Sequence, residues 1–130
     1  VIQTAILEKT LDIFLDINFN VLREESLKLS DLFIKMVGQM CPDLHVETPL
    51  NSSERGSQVS FSHPSGYAIM QALIDRNIVG DFRAPNIIRF GITPLYINEK
   101  DIVQTVKVLE EILSSTLWDN PTYLNRNKVT

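Results

Sequence analysis

The feature that most constrains the fold is a pair of short runs in which side chains alternate between two faces. In NIIRFGI, residues 86–92, one face carries Ile88, Phe90 and Ile92, and the other carries Ile87, Arg89 and Gly91. In SQVSFS, residues 57–62, Val59 and Phe61 share one side. A strand with this pattern buries one face and leaves the other open. The two runs therefore predict a sheet that is covered on one side only.

Segments with helical periodicity flank these strands along the chain, and we expect them to cover one face of the sheet. It predicts helices at 3–17, 23–40, 64–77 and 99–115, and alternation predicts strands at 44–48, 57–62, 78–82 and 86–92. The acids of REES suit the first turn of the second helix, and Pro64 suits a first helical position. Asn77 is a candidate left-handed terminator, and Asn98 with Asp101 predicts a capping box. The order predicts an α+β, two-layer domain: a small, mainly antiparallel sheet with helices packed on one face.

Composition excludes several classes of protein. The net charge is −4 and the isoelectric point is about 5.1, which argues against a nucleic-acid surface. Charges interrupt every apolar run well before the length of a membrane span, so we expect no membrane partner. The single Cys41 cannot form an internal disulfide, which favours a reducing compartment such as the cytoplasm. Cys41, His45 and His63 are too few and too scattered for a metal site.

Arg89 is the main candidate for a binding residue. If helices cover the face of Ile88, Arg89 emerges on the open face, and Gly91 leaves room beside it. A guanidinium can bind a carboxylate through two parallel hydrogen bonds, which lysine cannot reproduce. The more ordinary alternative is an exposed arginine paired with a glutamate. Asp81 and Arg83 share a side by parity, and we expect a local ion pair there rather than the rim of a site.

The other candidate residues give weaker evidence for a functional site. Ser60, Ser62 and His63 are a possible nucleophile and base, but closeness in sequence is not the geometry of a catalytic triad. We expect His63 to serve as a cap or as a packed ring. The ERGS segment at 54–57 has a lone glycine and cannot act as a phosphate loop. From the residues alone, the chain is an α+β domain with one suggestive arginine.

Five motifs that follow one another along the chain indicate more about its family than the single residues do. They are R-G-S-x-V-S-F at Arg55–Phe61, H-P-x-G-Y-A at His63–Ala68, Q-A-L-I-D-R at Gln71–Arg76, G-D-x-R-x-P at Gly80–Pro85 and R-F-G-x-T-P-L-Y at Arg89–Tyr96. Together with SLKLSDLFI at 26–34, they make residues 20–118 resemble the C-terminal portion of kynureninases. The resemblance implies the C-terminal domain of a fold-type I pyridoxal-phosphate enzyme.

That resemblance also implies a function for the intact protein. Kynureninases hydrolyse L-kynurenine or 3-hydroxykynurenine to anthranilate or 3-hydroxyanthranilate and L-alanine in tryptophan catabolism, with pyridoxal phosphate as the electron sink. By resemblance, Arg89 binds the substrate α-carboxylate, while Arg83 and Tyr96 are possible rim residues. The family forms homodimers. No catalytic, cofactor-binding or metal-binding residue is expected in this chain, because no lysine here lies in the context of the Schiff-base lysine.

The resemblance divides the chain into three parts. Residues 1–20 are expected to be a connecting helix from a missing large domain, 21–118 the small C-terminal domain, and 119–130 a loosely held polar tail anchored by Trp118. The start lacks Met and begins in a periodic segment, which hints at a piece of a longer chain. Two alternatives stay open: a free-standing small-ligand-binding or regulatory module in which Arg89 binds an amino acid without chemistry, and a purely structural or interaction domain.

Overall fold

A computed structural model describes residues 8–9, 11–12, 15–16 and 18–124 of the 130-residue chain. The predicted helix at 3–17 lies largely outside the described residues, although residues 8, 9, 11, 12 and 15 are helical. The first complete helix, α1, spans Phe19–Met40. It runs across the predicted domain boundary after residue 20.

Helix α1 begins four residues before the predicted start. The Oδ1 atom of Asn18 accepts hydrogen bonds from the backbone N–H groups of Asn20 (3.0 Å) and Val21 (3.4 Å). An asparagine side chain at this position satisfies donors that the helix itself cannot pair. The prediction that the acids of REES fill the first turn is therefore wrong, because that turn contains no acidic residue.

Four strands form one antiparallel sheet, as the alternation predicted. They are β1 His45–Val46, β2 Gln58–Ser62, β3 Asp81–Arg83 and β4 Ile87–Gly91, in the spatial order β1-β2-β4-β3. Strand β4 lies in the centre, with Arg89 opposite Ser60 on one side and opposite Asp81 on the other. A short 3-10 turn, Ser52–Glu54, interrupts the connection from β1 to β2.

Three further helices follow: α2 Gly66–Asp75, α3 Glu99–Ser114 and α4 Pro121–Leu124. The predicted start of α2 at Pro64 is wrong, because Ser65 is the N-cap residue and the helix begins at Gly66. A side chain on Gly66 would place Cβ 3.0 Å from the carbonyl oxygen of Asn86, so the first turn lies directly against the backbone near β4. The predicted capping box of α3 is confirmed, with Asn98 and Asp101 bonding to each other's backbone N–H.

The third strand begins later than predicted. Asn77 adopts a φ of 63°, which confirms it as the left-handed residue after α2. The N–H of Ile78 then bonds back to the carbonyl of Leu73 at 3.0 Å. Residue 78 is therefore tied to the end of α2 by this bond, and strand pairing starts only at Asp81 rather than at the predicted 78.

The core lies on one face of the sheet, between the strands and helices α1, α2 and α3. Three phenylalanines meet edge to face at its centre, with ring centroids 5.5 Å apart for Phe33 and Phe61, 5.2 Å for Phe33 and Phe90, and 6.2 Å for Phe61 and Phe90. Phe33 comes from α1 and the other two come from β2 and β4. Edge-to-face packing adds to the burial of apolar area and ties the helix layer to the sheet.

The segment after α3 is more structured than the predicted polar tail. Trp118 packs on the core and meets His63 with ring centroids 5.8 Å apart, which supports its predicted role as an anchor. Beyond it, α4 places the Tyr123 hydroxyl 2.7 Å from Oδ2 of Asp75, to which it donates a hydrogen bond. In the described part of the chain, no helix is long and apolar enough to cross a bilayer.

Candidate functional site

The open face of the sheet carries Arg89, as parity predicted. Its neighbours along β4, Ile88 and Phe90, are buried among the helices, with 0% and 6% of their surface exposed. The Arg89 side chain is 24% exposed and lies on the opposite face. Strand geometry, which turns successive side chains to opposite faces, accounts for this separation.

Arg89 is held by a carboxylate from the neighbouring strand. Its Nη2 donates to Oδ2 of Asp81, the residue directly opposite it in β3. The same oxygen accepts a hydrogen bond from Nε of Arg83 at 3.2 Å, so the predicted pair of Asp81 and Arg83 is confirmed. Arg89 thus forms an ion pair, as the more ordinary alternative predicted, although its partner is this aspartate and not a glutamate. We call Arg83, Asp81 and Arg89 the arginine cluster.

The electrostatics of the cluster favour an ionised aspartate. The hydrogen bond from Arg89 is the largest cause that holds the pKa of Asp81 below its ordinary value, and the charges of Arg89 and Arg83 act in the same direction. Nε of Arg89 is buried and has no hydrogen-bond partner among the described residues. The guanidinium is thus oriented by one carboxylate oxygen while some of its donors stay unpaired.

Gly91 provides space next to the cluster. It is exposed on the same face, and a Cβ atom built there would meet nothing within 4 Å. The predicted gap beside Arg89 is therefore present. A ligand can approach the sheet here without meeting a side chain from β4.

Tyr96 does not join the cluster. It follows β4 in a turn where its backbone N–H bonds to the carbonyl of Thr93 at 3.4 Å. Its surface is 79% exposed. Of the three predicted site residues, the structure brings together Arg83 and Arg89 and leaves Tyr96 apart.

The serines and the histidine form no catalytic triad. The Ser62 hydroxyl donates to Oε1 of Glu47 at 2.7 Å, whereas Nδ1 of His63 accepts the backbone N–H of Ser65 at 2.9 Å. Burial beside Trp118 lowers the pKa of His63, which favours the neutral ring. Of the two predicted roles of His63, a cap or a packed ring, the packed ring is confirmed, because α2 has no side-chain cap hydrogen bond.

Sequence reasoning missed Arg55, which is the most buried charge of the described chain. Its side chain is 1% exposed and forms an ion pair with Asp31 of α1. Its Nη1 reaches the carbonyls of Pro49 and Leu50, both at 3.4 Å. These contacts fasten the loop before β2 to α1, so Arg55 has a structural role. Its partner lies 24 residues away, which no local pattern reveals.

A cavity of about 330 Å³ is lined by residues of α1, β4, α3 and the segment after α2. Its walls include Phe33, Ile78, Phe90 and Ile102, with Arg76 and Asp101 among its polar groups. Gly91 lines this cavity, but Arg89, Asp81 and Arg83 do not. We locate the candidate site at the arginine cluster, because charge and unpaired donors meet there. Among the described residues, no group of three or more His, Cys, Asp or Glu could hold a metal ion.

Comparison with known proteins agrees with the motifs. A family model described as the kynureninase C-terminal domain matches residues 22–109. Kynureninase from Pseudomonas fluorescens is 45% identical over 128 residues, which is 97% of this chain and 31% of that protein. Kynureninase from Burkholderia mallei (strain SAVP1) is 40% identical over 132 residues, covering 100% of this chain and 32% of that protein. The chain thus spans about a third of the length of the curated relatives it matches.

The fold has a counterpart among solved structures. A NifS-like protein superposes with a TM-score of 0.64 over 74% of this chain and 29% of that chain, at 22% sequence identity. At this identity the likeness shows the fold, which is the predicted C-terminal domain fold with its antiparallel sheet and covering helices. The family model, which matches more than half of the chain, shows that this chain belongs to the kynureninase C-terminal domain family.

Proposed function

We propose that this domain supplies Arg89 to bind the α-carboxylate of the substrate of a kynureninase, which is L-kynurenine or 3-hydroxykynurenine. Membership of the family supports the reaction, the hydrolysis of a carbon–carbon bond to give anthranilate or 3-hydroxyanthranilate and L-alanine. The observation that carries the residue assignment is the position of the Arg89 side chain on the open face, 24% exposed and beside the free space at Gly91.

The chemistry of this role is orientation. A substrate carboxylate bound by a planar guanidinium has its position and rotation fixed, because two parallel hydrogen bonds resist turning. Fixing one end of an amino acid presents its reacting bond in a constant geometry, which lowers the entropic part of the barrier. Arg89 is suited to this because the central strand β4 holds its backbone in register with two neighbours.

The family implies pyridoxal phosphate, and the described residues of this chain do not fit it. A lysine that forms a Schiff base needs an enclosed position, where burial lowers its pKa. The described lysines, Lys9, Lys28, Lys35, Lys100 and Lys107, all lie exposed on helices. We therefore assign the cofactor to a larger domain that precedes this one in the intact protein, and we propose that this chain alone is inactive.

The domain divisions and partners follow from the same proposal. Residues 1–20 connect to the larger domain, residues 21–118 form the small domain, and 119–130 form a tail that includes α4. The intact protein is proposed to be a homodimer of the cytoplasm. Arg83 is proposed as a residue at the rim of the site through its bond to Asp81, and Tyr96 as a second rim residue that the larger domain covers.

The test is steady-state kinetics of the full-length enzyme carrying Arg89→Lys. Lysine keeps the charge but loses the paired donors, so KM should rise and kcat/KM should fall by roughly ten- to a hundredfold. The matched control is Arg76→Lys, because Arg76 caps α2 through a bond to the carbonyl of Ala72 at 3.0 Å and lies away from the cluster. Normal kinetics for Arg89→Lys would remove Arg89 from the site.

A second measurement addresses the chain alone. Calorimetry with L-kynurenine should detect no binding of consequence, because most of the pocket is proposed to lie in the larger domain. Binding in the low micromolar range by the 130-residue chain would instead support a free-standing ligand-binding module.

A further inference from the structure

The further inference concerns the carboxylate of Asp81, which lies beside Arg89. Oδ2 of Asp81 accepts from Nη2 of Arg89 and from Nε of Arg83, so one oxygen joins both arginines. We propose that Asp81 is a positioning residue, which holds the Arg89 guanidinium in its carboxylate-binding orientation while Arg83 steadies Asp81. This inference rests on the proposed function of Arg89 and adds roles for two residues that need not touch the substrate.

Arg89 needs such support because its other neighbours give little. Gly91, two residues along the strand, has no side chain, and the side chain of Ser60, which lies opposite Arg89 in β2, is short. A long arginine side chain loses rotamer freedom when it is fixed by a ligand. Asp81 is directly opposite in β3 and makes the contact that limits this freedom before the ligand arrives.

Asp81 leaves N–H donors of Arg89 free to bind a ligand. It contacts Nη2 through a single oxygen, and Nη1 of Arg89 makes no hydrogen bond to the described residues. A guanidinium has five N–H donors, so one contact with Asp81 does not exhaust it. Asp81 therefore orients Arg89 without taking up all of its donors.

The charge of the arginine cluster is also suited to one carboxylate. Two arginines and one ionised aspartate sum to a net charge of +1, from 2 − 1. Glu47 also lies on this face, beside β1, where it accepts a hydrogen bond from the Ser62 hydroxyl at 2.7 Å. Strand β1 is two strands away from β4, roughly 10 Å at the usual spacing. A ligand with one negative charge would neutralise the cluster.

The experiment compares two variants of the full-length enzyme that make the same change in charge. Asp81→Asn keeps the size of the side chain and removes its charge. It should raise KM for L-kynurenine by roughly three- to tenfold, the range expected for freeing one long side chain, and leave kcat within about twofold. Glu47→Gln removes one negative charge from the same face without touching Arg89 and should leave KM unchanged.

Two more measurements separate positioning from a general loss of structure. Arg83→Gln should raise KM by a smaller factor than Asp81→Asn, because it acts on Arg89 only through Asp81. In the 130-residue chain, the side-chain Nε–H signal of Arg89 in a nitrogen–proton NMR spectrum should shift in Asp81→Asn and stay in place in Glu47→Gln. The NMR measurement does not depend on catalysis.

The outcomes distinguish this inference from the proposed function. If Arg89→Lys raises KM but Asp81→Asn does no more than Glu47→Gln, Asp81 does not position Arg89 and the inference fails alone. If Asp81→Asn lowers KM, Asp81 competes with the substrate and the inference is overturned. If Arg89→Lys itself has no effect, the proposed function fails and the inference fails with it.

Discussion

The two faces of the sheet differ in how far their residues are buried and in the contacts that these residues make. On the covered face, Val59, Phe61 and Ile88 are each 0% exposed and are packed by three helices. On the open face, Ser60, Ser62 and Arg89 remain partly exposed and make hydrogen bonds or ion pairs. The same strands provide both sets, because adjacent residues point to opposite faces.

This contrast separates stability from function. Burial of apolar area on the covered face stabilises the fold. The open face adds little to the core and can therefore carry an arginine with unpaired donors. A change on one face should alter the free energy of unfolding, and a change on the other should alter substrate binding.

The largest effect is expected for Phe61→Ala. Phe61 is 0% exposed and meets both Phe33 and Phe90, so the free energy of unfolding should fall by about 3–5 kcal/mol. The neighbouring change Ser60→Ala, on the open face, should cost less than about 1 kcal/mol. Chemical denaturation measures both, and equal losses would contradict the separation of the faces.

The next largest effect is expected for the reactivity of the Cys41 thiol. Cys41 is 1% exposed, and burial, followed by the charges of Glu110 and Asp43, raises its pKa from 9.0 to about 11. Near pH 8, the thiolate fraction should be about 100-fold lower than in the unfolded chain, and its reaction with a thiol reagent should slow by at least that factor. Comparable rates in native and denatured protein would place Cys41 outside the core.

The linked effect on stability has a defined sign. Because the folded state disfavours the thiolate, the free energy of unfolding should fall as pH rises from 9.0 toward about 11. Below pH 9.0 the thiol is protonated in both states and no loss is expected. Denaturation curves of wild type and Cys41→Ala across this range isolate the contribution.

Two glycines offer a smaller, matched comparison. A Cβ atom on Gly80 would lie 2.7 Å from the carbonyl oxygen of Arg89 and 2.7 Å from Cε of Met70, whereas one on Gly91 would meet nothing within 4 Å. Gly80→Ala should lower the free energy of unfolding by about 1–3 kcal/mol, since the backbone oxygen cannot move freely. Gly91→Ala should change stability by less than about 0.5 kcal/mol. A reversed order would contradict the packing of β3 on β4.

The smallest effect is the acid dependence of the arginine cluster. Asp81 has a lowered pKa in the folded state, so its contribution is present above the unfolded pKa of 3.8 and is lost as pH falls through the folded value. The pair is half exposed, and we expect a small contribution. Wild type and Asp81→Asn should differ in stability near neutral pH and converge as the pH falls through the lowered folded pKa of Asp81. An equal difference at both pH values would contradict this ion pair.

The sequence predicts the faces of the molecule better than its contacts. Alternation in 86–92 was enough to place Arg89 opposite Ile88 and Phe90, because strand geometry fixes that relation locally. It could not reveal that Asp81 is the partner of Arg89. That pairing depends on the register of β3 against β4, which spans a turn.

Helix boundaries show the same limit. The start of α1 was placed at residue 23 from acidic residues, but the cap is Asn18, whose side chain bonds the first free N–H groups. The start of α2 was placed at Pro64, but close contact of Gly66 with Asn86 shapes that turn. Arg55 was missed because its ion pair with Asp31 joins a loop to a distant helix. In each case a specific contact, and not the periodicity, decides the structure.

The central claim is that Arg89 recognises a carboxylate from the open face. The most direct test is a thermodynamic cycle in the full-length enzyme, with inhibition constants for an unreactive substrate analogue and for the same molecule without its α-carboxylate. Wild type should prefer the carboxylate by at least about tenfold, the scale of one charged hydrogen-bonded contact, and Arg89→Gln should bind the two molecules alike. If Arg89→Gln kept the wild-type preference, another residue would bind the carboxylate and the account of this site would be wrong.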